Sequence, residues 1–264
     1  MTLYSDLAAA GSGSLVGFVL GLVGGGGSVL AVPLLVYVVG VASPHVAIGT
    51  SSVAVAANAF VNLISHARQG NVRWPCAAVF AASGVVGAAL GSIAGKAFDG
   101  KKLLFLFGAL MAVIAISMFI RKRADGDGFR PLTRDNLSEL APRLTIAGVV
   151  VGGLSGFFGI GGGFLIVPGL MGAVAMPILS AVGTSLVAVA AFGFTTAVSY
   201  ALSGLVDWRI AAIFVAAGTI GGVFGAKAAG ELAANKATLA RIFAVLVLGV
   251  GIYVMARGYP ALFN

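Results

Sequence analysis

The chain has 264 residues, of which 59% are hydrophobic and only 9% are charged. A soluble domain usually carries about 25% charged residues, so this composition excludes an ordinary soluble globule and indicates an integral membrane protein. The net charge of +8 does not indicate a nucleic-acid partner, because the basic residues lie mostly between apolar segments, where they set topology and meet lipid headgroups. Cys76 is the only cysteine, which excludes an internal disulfide and a cysteine-based metal site.

Apolar segments follow one another along the chain and predict an all-α protein with about eight transmembrane segments. They cover residues 11–40, 46–66, 75–97, 103–120, 144–173, 178–202, 209–229 and 238–257. The one long polar stretch lies between the fourth and fifth segments. We therefore expect a first membrane repeat over 1–122, a polar cytoplasmic linker over 123–143, and a second membrane repeat over 144–264.

Two related glycine clusters interrupt the first segment of each half. We call residues 24–28, within "GLVGGGGSVLAVP", the first glycine cluster, and residues 159–163, within "GFFGIGGGFLIVP", the second. The two stretches align at a shift of 135 residues, and after one gap a "GTS" motif at 49–51 aligns with another at 183–185 at a shift of 134. Internal duplication of this kind is typical of many secondary transporters.

The relative orientation of the halves depends on whether their first segments cross the membrane. If all eight segments cross, both halves run in the same direction, and ten Lys and Arg lie on the linker side against six opposite. If each first segment is a re-entrant hairpin, the halves are inverted and the count is eleven against five. Both arrangements place the linker in the cytoplasm. We favour eight crossings, with the first segment of each half broken at its glycine cluster and the hairpin as the alternative.

The glycine clusters weaken a helix where the bilayer would favour an unbroken one. Glycine and proline are poor helix formers, and Pro33 and Pro168 follow the two clusters. A broken membrane helix is tolerated where it lines a cavity, and a helix N-terminus there presents free N–H groups and partial positive charge to an anion. The alternative is close helix packing by small residues. We favour the cavity for the two clusters, and close packing for the glycines within residues 83–91 and 217–225.

Hydroxyl and amide side chains supply further candidate contacts. Thr50 and Ser51, like their counterparts in the second "GTS", lie near the start of a segment, where they could cap a helix or donate to a bound oxyanion. Asn58 and Asn62 lie four residues apart on one helix face. They could line a polar path or bond a neighbouring helix.

Ionisable residues are scarce within the apolar segments. His45 and His66 lie near segment ends, where we favour interfacial anchoring over a proton-linked role. No Asp or Glu falls in the middle of a segment, which disfavours an acidic proton relay or a cation site. An anion held by helix ends, N–H groups and hydroxyls is the simplest substrate class.

The two glycine clusters, each followed by a proline and then by "GTS", resemble the sulfite exporter TauE/SafE family, also called the toluene-sulfonate uptake permease family. The resemblance covers nearly the whole chain. It implies a carrier in the plasma membrane, the inner membrane of a bacterium, for sulfite, thiosulfate, sulfonates such as sulfoacetate, or another small sulfur-containing anion. The first cluster reads "GGGGS" and the second "GIGGG", so the two are not equivalent.

The candidate site residues come from these four motifs and from the segment that contains the first "GTS". The candidate substrate-binding residues are Gly24, Gly25, Gly26, Gly27, Ser28, Gly49, Thr50, Ser51, Gly159, Gly161, Gly162, Gly163, Gly183, Thr184 and Ser185, and the candidate pore-lining or proton-linked residues are Asn58, Asn62, His45 and His66.

We expect a secondary transporter that moves a small sulfur-containing anion, as an exporter in first choice, by alternating access at a site between the repeats. The alternatives are an anion channel with the same dipole-lined site and an importer of thiosulfate or sulfonate. No GxxxxGK[ST] motif is present, so we expect no ATP motor and no cofactor. The chain has no Ser–His–acid set or metal-ligand cluster, which disfavours an enzyme. The expected partners are the anion and the bilayer, and a homo-oligomer is left open.

Overall fold

The computed structural model describes residues 3–120, 132, 136–159, 163–231 and 236–258. These residues form helices and connecting loops, with no strand among them, so the all-α prediction is confirmed. The elements are α1 (Leu3–Val23), a 3-10 segment (Gly24–Leu30), α2 (Ala31–Tyr37), α3 (Pro44–Arg68), α4 (Trp74–Ala97), α5 (Gly100–Ile120), α6 (Leu137–Phe158), α7 (Gly163–Val174), α8 (Ile178–Ala201), α9 (Trp208–Glu231) and α10 (Lys236–Gly258).

Six helices within the described residues are long and apolar enough to cross a membrane. They are α1, α3, α4, α6, α8 and α9. Shorter apolar helical stretches cover Gly24–Tyr37, Gly163–Val174 and Val247–Gly258. The described residues are therefore those of an all-helical, multi-pass membrane protein, and the eight crossings that we favoured are not confirmed.

The predicted apolar segments correspond to helices, with one difference that affects both halves. The first and fifth segments are each divided in two, into α1 and α2 and into α6 and α7. In addition, α6 begins at Leu137, before the predicted start at 144. Its first turns bury Leu140 and Leu144, while Glu139 and Arg143 pair at 3.5 Å across one turn, which suits an interfacial helix start.

A capping aspartate precedes α5. Asp99 Oδ1 accepts hydrogen bonds from the backbone N–H groups of Lys102 and Lys101 at 2.9 and 3.1 Å. These backbone hydrogen bonds, that from Lys102 first, hold the pKa of the Asp99 carboxyl below its ordinary value because they stabilise the charged form.

The chain reverses direction at the first glycine cluster. Gly24 has a φ of 71°, a left-handed conformation that glycine adopts without strain. Beyond it, Gly27 lies against α1 itself, where a Cβ would be 2.7 Å from the Cα of Leu20. Residues seven apart in a continuous helix are separated by about 10 Å along the axis, so this contact requires a reversal. The short helix α2 therefore runs back from the cluster.

The most extensive helix contacts join one half to the other, in the pairs α1 with α9 and α4 with α6. Glycines let these backbones touch. A methyl group added at Gly13, Gly17 or Gly21 of α1 would collide with the α9 backbone near residues 214, 218 and 222, respectively. A methyl group added at Gly148, Gly152 or Gly156 of α6 would collide with the α4 backbone near residues 80, 84 and 88, respectively. The contacts advance along both helices together, so each pair is parallel. Close packing by the glycines of 83–91 and 217–225 is confirmed.

The central pair, α3 and α8, is antiparallel. Gly49 near the start of α3 lies against Tyr200 near the end of α8, and Ala56 at the centre of α3 lies against Gly193. Halves pointing the same way would make these two corresponding segments parallel. The antiparallel direction of α3 and α8 therefore does not agree with the arrangement that we favoured, in which all eight segments cross and both halves run in the same direction. The reason is that the chain reverses within its first segment, so α1 and α3 share one direction.

Candidate functional site

The two glycine clusters meet in the interior of the helix bundle. A Cβ placed on Gly25 would lie 2.5 Å from the Cα of Gly163 and 2.6 Å from a methyl carbon of Val189. Val189 is at the middle of α8 (Ile178–Ala201). The contact between the clusters therefore lies near half the depth of a membrane-length helix.

The helix breaks are built in the same way in both halves. Gly24 and Gly159 have φ values of 71° and 66°, and each follows the last residue of a long helix, α1 or α6. Gly24 packs on the side chain of Val182, and Gly159 packs on that of Ile48. Val182 and Ile48 both precede a "GTS" motif. The long helices thus end where predicted, and Gly161 and Gly162 lie outside the described residues.

The first cluster is tightly packed in this conformation. Gly24 to Ser28, including Gly26, are all buried. Ser28 Oγ donates to the Gly25 carbonyl oxygen at 2.9 Å. Glycine at residues 24–28 thus serves close backbone contact in this conformation, and the cavity that we expected at the cluster stays a prediction.

The threonines of the two "GTS" motifs hold neighbouring loops. Thr50 Oγ1 accepts a hydrogen bond from the Asp207 N–H at 2.9 Å, and Thr184 Oγ1 accepts one from the Arg73 N–H at 3.0 Å. Both threonines are fully buried. Gly49 and Gly183 pack beside them on the carbonyl groups of residues 205 and 71. Each motif thus ties its helix to a loop of the opposite half.

The serines of the motifs hold the glycine clusters. Ser51 Oγ donates to the Ile48 carbonyl at 2.9 Å, and Ser52 Oγ donates to the Gly159 carbonyl at 3.0 Å. In the other half, Ser185 Oγ donates to its own helix at 2.7 Å and accepts from the Gly25 N–H at 3.4 Å. Ser52 was not predicted, although its position four residues after Ile48 places it on the same helix face.

We expect Thr50→Val and Thr184→Val to destabilise the protein, because each leaves a backbone N–H without its acceptor. The loss should be about 1–3 kcal/mol, measured as a lower thermal transition of the purified protein in detergent. Thr50→Ser and Thr184→Ser keep the hydroxyl and serve as matched controls. Unchanged stability with weaker binding of a small oxyanion would instead show that these hydroxyls contact the anion.

Asn58 and Asn62 line the core face of α3 and are both buried. Asn62 Nδ2 donates to the Asn58 carbonyl at 2.8 Å, and Thr219 Oγ1 on α9 donates to Asn58 Oδ1 at 3.2 Å. Asn58 Nδ2 has no hydrogen-bond partner among the described residues. The asparagines thus contact a neighbouring helix and still offer a free donor in the interior.

The two histidines have different environments. His45 is half-buried at the start of α3, with its ring centre 6.5 Å from that of Tyr200. His66 in the last turn of α3 is only 2% exposed. Neither of its ring nitrogens has a well-aligned hydrogen-bond partner in the described part of the chain, although the Gly21 backbone lies beside the ring. His66 is buried because α9 and α1 cover the end of α3 at Asn62. Its place in the last turn of α3 leaves interfacial anchoring a prediction.

A cavity of about 140 Å³ opens beside Asn62, between the C-terminal parts of α3 and α9. Its lining is mostly small or polar and includes one cation. The lining residues are Val61, Asn62, Ser65, Gln69, Val223, Ala226 and Lys227. Lys227 was not among the predicted site residues, because nothing in its local sequence shows that α9 lies against α3.

Membrane-length helices, broken at buried glycines that meet in the interior, and a polar face leading away from them define a multi-pass membrane transporter. The chain belongs to the sulfite exporter TauE/SafE family, whose sequence model matches residues 9–254. The family and the apolar helices are consistent with a bacterial inner-membrane protein.

Similar proteins carry transporter names rather than enzyme names. A "Probable membrane transporter protein" of Xylella fastidiosa (strain 9a5c) is 48% identical over 262 residues, which cover 99% of each chain. The "Probable membrane transporter protein YunE" of Bacillus subtilis is 26% identical over 266 residues, covering 93% of this chain and 96% of that protein. No solved structure matches the chain.

Proposed function

We propose that this chain is a secondary transporter that carries a small sulfur-containing anion, sulfite in first place, out of the cell by alternating access. The observation that carries the proposal is the contact between Gly25 and Gly163 at the middle of α8. Two broken helices that meet at mid-depth are the usual architecture of a transporter binding site. The name of the family, sulfite exporter, supports the substrate class and the direction.

We further propose that the two halves are inverted repeats. The antiparallel contact of α3 with α8 supports this arrangement, as do the matching contacts of α1 with α9 and of α4 with α6. The charge distribution agrees, since all but five of the Lys and Arg residues then lie on the linker side. Those five are Lys96, Lys101, Lys102, Arg209 and Arg257.

The anion would be bound after the two clusters separate. In this conformation the motif hydroxyls bond to protein groups and Gly25 packs on Gly163. Rocking of one half against the other would release the N–H groups at the start of α7, together with the hydroxyls of Ser51 and Ser185. Such donors stabilise an anion without a buried cation.

A carrier is favoured over a channel by a difference between the two membrane sides. A cavity opens beside Lys227 at the linker end of α3. At the opposite side, Lys96 Nζ donates to the Ser199 carbonyl and to Ser203 Oγ at 3.0 and 2.9 Å, which links α4 to the corresponding end of α8. An opening on one side and a link between helices on the other fit alternating access.

The test is exchange of labelled sulfite in proteoliposomes at alkaline pH, where little uncharged acid crosses lipid. A carrier should take up external label faster when the vesicles contain unlabelled sulfite, and chloride should not replace that internal sulfite. Protein-free vesicles give the background. Uptake that internal sulfite does not accelerate, together with sulfite conductance, would establish a channel. If internal thiosulfate or sulfoacetate drove exchange and sulfite did not, that anion would replace sulfite as the proposed substrate.

A further inference from the structure

We propose that the protein carries a polar track in two parts, one along α3 on the linker side of the glycine clusters and its counterpart along α8 on the opposite side. Its residues are Asn58, Asn62 and His66 on α3, and Thr196 and Tyr200 on α8. The identity of the anion that uses the track rests on the proposed function. The track itself is a property of the described helices and can be tested without a substrate.

The α3 part of the track contains polar atoms that the fold buries without satisfying them. Asn58, Asn62 and His66 lie four residues apart, so they share one helix face. None is more than 2% exposed. Within the described residues, Asn58 Nδ2 has no hydrogen-bond partner, and the His66 ring nitrogens have no well-aligned one, although the Gly21 backbone lies beside the ring. A buried polar group without a partner is unfavourable, so these atoms are suited to hold water or a passing polar ligand.

The α8 part of the track shows the same property at positions that sequence analysis did not select. Thr196 and Tyr200 also lie four residues apart and are fully buried. Neither hydroxyl has a partner in the described part of the chain. The neighbouring Thr195 differs, since its Oγ1 donates to the Ala191 carbonyl at 2.8 Å. Helix hydroxyls usually bond back in this way, so the free hydroxyl of Thr196 is unusual.

The glycine clusters lie between the two parts of the track. Because α3 and α8 are antiparallel and contact each other at Ala56 and Gly193, the residues that follow these contacts lead to opposite membrane sides. Gly25 lies against Val189 beside this contact. At the shift of 134 residues, Asn62 corresponds to Thr196 and His66 corresponds to Tyr200. The α8 part is thus the counterpart of the α3 part in the other half.

A lysine lies at each end of the track. Lys227 lines the cavity that reaches Asn62. Lys96 Nζ lies 5.8 Å from the ring centre of Tyr200. Cations at the two ends raise the local concentration of anions, while amide, imidazole and hydroxyl groups inside can donate without trapping the ligand by a full charge. This combination suits a small oxyanion.

Cysteine accessibility tests the track directly. In full-length protein with Cys76→Ala, we would introduce Asn62→Cys, Thr196→Cys and Ala197→Cys singly, and treat proteoliposomes with a membrane-impermeant, anionic methanethiosulfonate. Ala197 is the matched control, because it is buried but lies about 100° around the helix from Thr196. Thr196→Cys and Asn62→Cys should react at least about tenfold faster than Ala197→Cys, since thiolate chemistry needs water. Equal rates for Thr196→Cys and Ala197→Cys would overturn the proposal.

Two conservative variants give a second readout. Thr196→Val and Tyr200→Phe keep side-chain shape and remove only a hydroxyl, so anion flux should fall about fivefold or more while the thermal transition is kept, as expected for lost donors to a ligand. Thr195→Val should change flux less than about twofold. Equal flux in all three variants would overturn the track. If the track cysteines were labelled but no sulfite exchange occurred, the track would be retained and the proposed function rejected. If exchange occurred without labelling, the proposed function would be retained and the track rejected.

Discussion

Gly163→Ala is expected to abolish both a stable fold and anion exchange. The three atoms nearest to the added methyl group all belong to the backbone of Gly25, and backbone cannot rotate away as a side chain can. Overpacking a protein interior typically costs about 1–3 kcal/mol. With backbone on both sides, we expect at least about 3 kcal/mol, seen as a large fall in the thermal transition of the purified protein.

Gly11→Ala is the matched control for this substitution. A Cβ at Gly11 meets nothing within 4 Å, and alanine forms helix better than glycine by about 1 kcal/mol. Gly11→Ala should therefore be neutral or slightly stabilising. If Gly163→Ala kept the parent stability and exchange rate, the clusters could not be in the close contact described.

Gly17→Leu and Gly152→Leu should each prevent accumulation of folded protein, and to a similar extent. Position 17 lies on α1 and position 152 on α6, at the shift of 135 residues that relates the halves. A side chain at Gly17 would collide with Gly218 on α9, and one at Gly152 would collide with Gly84 on α4. Each change should cost more than about 3 kcal/mol.

The measurement is the monodisperse fraction by size-exclusion chromatography after expression in membranes. Gly11→Leu, on the lipid side of α1, controls for leucine in the same helix. A severe effect at position 17 with none at position 152 would show that the two helix pairs do not contribute equally, and would argue against equivalent halves.

Much of the fold could be predicted because each membrane-spanning helix corresponds to a local run of apolar residues in the sequence. Hydrophobic length and polar breaks located the other long helices within a few residues, whereas α1 and α6 begin at Leu3 and Leu137, before the predicted 11 and 144. The glycine clusters marked where α1 and α6 end. The direction of the halves could not be predicted in the same way. It depends on whether the chain continues or reverses after Gly24, which is decided by the contact of Gly27 with Leu20.

The sequence predicted which residues form the candidate site better than it predicted how those residues are arranged. The clusters and the "GTS" motifs do come together, but Thr50 binds the loop at Asp207, a partner 157 residues away in sequence. Thr196 and Tyr200 were not selected, because a threonine and a tyrosine in an apolar helix are ordinary until their unpartnered hydroxyls are seen. Whether a polar group has a hydrogen-bond partner is decided only in the assembled helix bundle.

The pairing of α1 with α9 has a consequence for how the protein is made. Gly13 contacts Phe214, which a ribosome adds about 200 residues later, or roughly 10–40 s later at about 5–20 residues per second. Until then the small-residue face of α1 has no native partner in the bilayer. A nascent chain that stops after α5 therefore cannot complete its packing and should be recognised by membrane quality-control proteases. The two halves expressed as separate polypeptides in one cell should rescue each other, because each supplies the helices that the other lacks.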